Sequence, residues 1–131
     1  MITVSSSRAR SFSLWAPVLV YMVLIFSVSG MASAPLPEQV SDKLGHLVAY
    51  FGLGVLAVRA AAGGLPARVT GRVAVLTAVI ACGYGAFDEI HQLFVWGRSA
   101  DVADWYADSA GALLGLCACW AWGMIAVRAD E

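Results

Sequence analysis

CGYGAFDEIHQLFVWGRSADVADWYADSAGALLG, residues 82–115, is the stretch on which the reading of this chain turns. Apolar runs flank a middle that carries Asp88, Glu89, His91, Gln92, Arg98, Asp101, Asp104 and Asp108. Elsewhere the chain is oily: 60% of its residues are hydrophobic and 13% are charged, against a usual charged share of about 25%. Its mean hydropathy is +0.77. A soluble domain of 131 residues cannot hide that much apolar surface, so the chain reads as an integral membrane protein. The expected fold class is all-α, an integral membrane bundle of four transmembrane helices.

Working outward, Val73 to Val95 forms the third span, about 34 Å long at the helical rise and enough to cross. Trp96 to Ala103 is a tight loop, and Asp104 or a neighbour caps the fourth span, which runs to about Val127. Upstream, Ser41 or Asp42 caps a second span from Leu44 to about Ala62, and Gly63-Gly64-Leu65-Pro66 breaks it. Pro35 and Pro37 mark the loop before it. The first span is the apolar run Leu14 to Met31, with Pro17 in its first turn, where proline is tolerated. Arg8 and Arg10 before this run and Ala32-Ser33-Ala34 after it also fit a signal peptide. The run exceeds the usual apolar core of about 7–15 residues, and Pro35 would follow the scissile bond. An uncleaved span is therefore expected. The chain divides into a cytoplasmic N-terminal tail (1–13), polar and disordered at its start, a transmembrane domain (14–127) and a cytoplasmic C-terminal tail (128–131).

Arg8, Arg10, Arg59, Arg68, Arg72 and Arg128 fall on one side of this topology, and Lys43 and Arg98 on the other. That asymmetry predicts a multi-pass protein of the inner or plasma membrane with both termini in the cytoplasm. The net charge of −1 and the lack of any basic run exclude nucleic acid as a partner. Cys82, Cys117 and Cys119 lie in apolar runs without a CxxC, as small buried core residues.

Four spans bring three polar groups to one membrane face. Asp42, Lys43, His46 and Tyr50 open span two. Asp88, Glu89, His91 and Gln92 close span three, and Arg98, Asp101, Asp104 and Asp108 follow. Asp42, His46 and Tyr50 share a helical face, as do Tyr84, Asp88 and Gln92, and as do Asp104, Asp108, Gly111 and Gly115. Carboxylates facing lipid are costly, so these faces point toward each other. Gly111 and Gly115 form a GxxxG that admits close helix approach. Six carboxyls face two fixed cations here, so protonated carboxyls, charged histidines, water or a bound cation must balance the group.

Two histidines converging on several acids suit proton transfer or a metal site; as plain structure, each would hydrogen-bond a carboxylate and fix the bundle. Asp88-Glu89-Ile90-His91-Gln92 is not HExxH, so a zincin is unsupported. Lys43 and Arg98 suit a phosphate or carboxylate, or interface anchoring by snorkelling.

These residues carry a resemblance to the VanZ-like family of small bacterial membrane proteins. It rests on Asp42-Lys43-Leu44-Gly45-His46, Tyr50, Leu53, Asp88-Glu89-Ile90-His91-Gln92-Leu93-Phe94, Arg98, Asp104, Asp108, Gly111 and Gly115, within residues 27–115. Asp108 stands where members carry Asp or Asn, and Trp96 where proline is frequent. The resemblance implies a polytopic cell-membrane protein with a link to glycopeptide (teicoplanin) resistance; it does not imply a reaction. Two classes of function stay open. In the first, a binding protein or enzyme acts on a lipid-linked or cell-wall component. Asp88, Glu89 and His91 are its acid/base or metal centre, assisted by His46 and Asp108. Lys43, Arg98, Gln92, Tyr50, Asp42 and Asp104 contact the substrate, and a divalent metal is a candidate cofactor. In the second, the cluster is a hydrogen-bond network in a protein that acts by association. Proton or cation transport is a weaker third, because the other halves of the spans offer almost no ionisable groups. The sequence leaves oligomeric state open.

Overall fold

The computed structural model describes residues 3–33 and 35–129. Met1, Ile2, Asp130, Glu131 and Ala34 of the Ala32-Ser33-Ala34 motif lie outside the described residues. The start of the expected N-terminal tail and the end of the C-terminal one fall there. Four helices follow in order: α1 (Thr3–Ser29), α2 (Asp42–Ala62), α3 (Gly71–Gln92) and α4 (Val102–Ala129). No strand occurs among the described residues. Each helix contains a segment long and apolar enough to cross a bilayer. Hydrocarbon offers no partner to backbone N–H and C=O groups, so apolar runs rich in β-branched residues still fold as helices there.

The boundaries follow local chemistry. Ser41 caps α2 by accepting the Leu44 N–H at 3.2 Å, and Gly63 ends it in the left-handed conformation at φ 80°. Thr70 caps α3 through the Val73 N–H at 3.3 Å. The third helix stops at Gln92, short of Val95. Leu93, Phe94 and Val95 close onto carbonyls three residues back, the tightened turn common at helix ends. Asp101, rather than Asp104, caps α4: its Oδ1 accepts the Ala103 N–H at 2.8 Å, and its carbonyl accepts from Asp104.

The first helix departs most from expectation. The polar segment from Thr3 is helical too, so Pro17 lies inside α1, not in its first turn. A proline there has no N–H for the Ser13 carbonyl. Arg59 of α2 supplies a donor to that carbonyl at 3.3 Å, and Arg10 reaches the Gly63 carbonyl at 3.0 Å. These contacts define an arginine end of the bundle. Loops 30–41 and 93–101 define the other, polar end.

α2 is the central helix. It packs on all three others, most extensively on α4, whereas α1 touches α2 and only the margin of α3. Among the described residues α1 makes no contact with α4. The α2–α4 seam is built on glycine. A Cβ at Gly111 would strike the Leu47 carbonyl, one at Gly115 would lie 2.5 Å from the Phe51 carbonyl, and one at Gly54 would strike the Ala112 carbonyl. Val18, Ile25, Tyr50, Leu53, Ala60, Ala81 and Ala112 form the main core. Val75, Val79, Leu114 and Ile125 face outward, as lipid contact requires. Cys119 is buried and Cys82 half-buried, but Cys117 is exposed, and all three are free thiols.

Candidate functional site

The loosely held α1 leaves a cavity of about 240 Å³ between itself, α2 and the polar end of α3. One wall is apolar: Tyr21, Leu24, Ile25 and Val28 of α1, with Leu36 and Ala49. The other carries His46, Tyr50, Asp88 and Gln92, with Asp42 and Arg98 at the mouth. Tyr50, Asp88 and Gln92 are 1% exposed.

The polar end has two layers. At the rim, Lys43 donates to Asp101 at 2.9 Å and to Asp104 at 2.8 Å. Arg98 donates through Nε to the Met31 carbonyl at 2.9 Å and lies 3.7 Å from Asp42. Both fixed cations are thus engaged with rim acids or backbone. The Lys43 ammonium, and then the Ala103 N–H, hold the Asp101 carboxyl below the usual carboxylate range.

Beneath the rim lie Asp88, Glu89 and Asp108, and none of them has a Lys or Arg within ion-pair distance among the described residues. Asp108 is fully buried and meets His46, Oδ1 to Nδ1, at 2.8 Å. The other His46 nitrogen lies 3.9 Å from Asp42 and 4.0 Å from Asp104. Glu89 accepts the Asp101 backbone N–H on Oε2 at 2.8 Å. Asp88 accepts from the Ser29 hydroxyl at 2.5 Å, and His91 Nδ1 lies 3.4 Å from the same hydroxyl and 3.9 Å from Asp88. Asp88 Oδ2, Glu89 Oε1, Asp108 Oδ2, Gln92 Nε2 and the Tyr50 hydroxyl have no partner among the described residues. Buried polar groups are nearly always satisfied, and these five gather at the polar end of the bundle.

Asp88, Glu89 and His91 do not form one centre. At about 100° per residue, Glu89 and His91 look to different sides of α3. Glu89 faces the α4 side, where one ligand atom from each of His46, Glu89 and Asp108 lies within 4.8 Å of the others. His91 instead stacks on Phe26 of α1, with ring centroids 4.0 Å apart. A second set, Asp42, His46 and Asp104, meets the same distance test at the rim, but Lys43 and Arg98 already serve its acids.

Sequence reasoning missed three contributors. Ser29 ties α1 to Asp88; its only signal was a hydroxyl at the end of an apolar run. Gly85 makes room for Asp108, since a Cβ there would lie 3.1 Å from Asp108 Oδ2. Tyr84, seen only as part of a stripe, donates to the Met22 carbonyl at 2.6 Å and holds α1 in place.

The family model described as VanZ/LLP1 matches residues 2–123. No curated protein and no solved structure matches the chain.

Proposed function

The chain belongs to the VanZ/LLP1 family, and from that premise we propose that this multi-pass membrane protein binds a lipid-linked anionic substrate of the cell envelope and works on its head group by acid–base chemistry. One observation carries the reading: a single cavity has an apolar wall of α1 side chains and an opposite wall of half-buried His46 with buried Tyr50, Asp88 and Gln92. Only an amphiphile satisfies both walls at once. A lipid tail suits Leu24, Ile25 and Val28, which continue into the bilayer, and the head group suits the polar wall.

The roles follow from position. Arg98 at the mouth holds the anionic group, and Lys43 adds to the field behind it. Asp108 holds the His46 ring in place, and Asp88, buried in the same wall, takes and returns a proton. Asp88, Gln92 and Tyr50 touch the head group, and Asp42 and Asp104 shape the rim. The arginine excess at the other end favours an orientation in which this pocket opens outward and both termini are cytoplasmic. A part in glycopeptide sensitivity is consistent with such a pocket.

The test uses the full chain in detergent with a fluorescent polyprenyl phosphate. Arg98→Ala weakens binding by about 10–100-fold, the scale of one charge-assisted hydrogen bond. Ala49→Phe, which fills the cavity, blocks it. Asp88→Asn retains binding and loses turnover. Equal binding by wild type, Arg98→Ala and Ala49→Phe sinks the reading. In cells, unchanged teicoplanin sensitivity with Asp88→Asn removes the resistance role alone.

A structural reading has its own support in the Ser29–Asp88–His91 contacts, which join α1 to α3. It predicts that substitutions there lower stability and leave ligand binding intact.

A further inference from the structure

We propose that His46, Glu89 and Asp108 together hold one divalent cation of the Mn2+ or Zn2+ class. The inference rests on the reading of the pocket as a working site and gives that site its cofactor. Three elements supply the donors: the start of α2, the end of α3 and the start of α4. One atom from each residue lies within 4.8 Å of the other two. Donors bound cis to one small cation, each about 2.0–2.2 Å from it, stand roughly 3 Å apart, close to the 2.8 Å between His46 Nδ1 and Asp108 Oδ1.

Two independent observations point to a ligand here. Asp108 Oδ2 and Glu89 Oε1 are buried and have no partner among the described residues, and Asp108 is completely shielded. The fixed cations also stand at the rim, away from this donor set, Lys43 on Asp101 and Asp104 and Arg98 beside Asp42. The His46 imidazole, one positive charge at most, is left to face two buried carboxylates. A divalent ion neutralises both and satisfies the orphaned oxygens together. One nitrogen and two oxygens suit Mn2+ or Zn2+ better than a soft ion such as Cu(I). The Asp101 N–H already fixes the second oxygen of Glu89 at 2.8 Å, as supporting hydrogen bonds do around metal ligands. His46 also lines the cavity, which puts the ion's neighbourhood next to the proposed head group.

The full-length chain, purified in detergent and stripped with chelator, is titrated with Mn2+ and Zn2+ without any lipid. Metal binding and lipid binding are thereby scored separately. The expected result is one saturable equivalent, with affinity reduced in Glu89→Gln and Asp108→Ala by more than the roughly 10–100-fold that losing a mere supporting partner of a ligand costs. Asp42→Asn leaves it unchanged. Should the buried variants fail to fold, pulsed electron spin resonance on wild-type protein with Mn2+ reads the ligand directly, and modulation from a histidine nitrogen is expected. Absence of saturable binding, absence of that nitrogen signal, or a loss confined to Asp42→Asn overturns the site.

Discussion

The seam between α2 and α4 predicts that one substitution has opposite effects at a glycine inside it and at a glycine outside it. Gly83 lies on the exposed side of α3, and a Cβ there would meet nothing within 4 Å. Gly83→Ala therefore gains only the helix preference of alanine, about 0.8–1 kcal/mol. Gly111→Ala carries the same gain, but its Cβ would strike the Leu47 carbonyl and lie 2.9 Å from the Leu47 carbonyl carbon and 3.0 Å from Phe51 N. These are backbone atoms of a packed helix, so no side chain can turn aside. α4 must withdraw by ~0.5–1 Å, a gap that forfeits a quarter to a half of each dispersion contact it stretches. Overpacking of this kind costs about 1–3 kcal/mol and occasionally more, so the net effect is a loss of roughly 0–2 kcal/mol after the helix gain, which leaves Gly111→Ala about 1–3 kcal/mol below Gly83→Ala. Thermal unfolding in detergent, read by helical circular dichroism, should rank Gly83→Ala at or above wild type and Gly111→Ala several degrees below. If Gly111→Ala matches Gly83→Ala, the close approach of the two helices is wrong, and with it the placement of His46 beside Asp108.

Other perturbations test separate contacts. Ser29→Ala leaves Asp88 and His91 short of a hydroxyl and should cost about 1–3 kcal/mol in the same melt, while cation binding is retained. Pro17→Ala restores the N–H that Ser13 lacks; in that background Arg59→Met should cost less than it does alone, which a double-mutant cycle measures. Asp101 carries a depressed pKa in the folded chain, so its contribution to stability is present above its ordinary value and is lost as pH falls through the lower folded one. Asp101→Asn, which keeps a side chain able to cap α4 but loses the charge that Lys43 meets, should flatten that acid limb by bringing the neutral melt down toward the acid one.

Much of this arrangement was legible because two simple rules governed it. Apolar length marked the spans, and an even number of crossings forced Asp42, Asp88 and Asp104 to one end. Polarity misled at Thr3 to Ser13, since a helix needs satisfied backbone groups and not apolar side chains to continue. That error misplaced Pro17 and hid the role of Arg59. Asp104 or a neighbour fits as the cap of α4 on sequence alone, and only the hydrogen bonds single out Asp101. Packing order was illegible: nothing in the pattern said that α1 would sit apart from α4 and leave a cavity beside His46. Nor did adjacency in sequence foretell that Glu89 and His91 would serve different neighbours.

The glycine seam joins the second helix to the last one, and that has a consequence for biosynthesis. His46 and Glu89 are made before Asp108, which belongs to the last helix. The donor set is complete only after α4 has been inserted and has docked. For the cation proposed above, a chain truncated before Asp108 should therefore show no binding, and loading would follow the docking of α4.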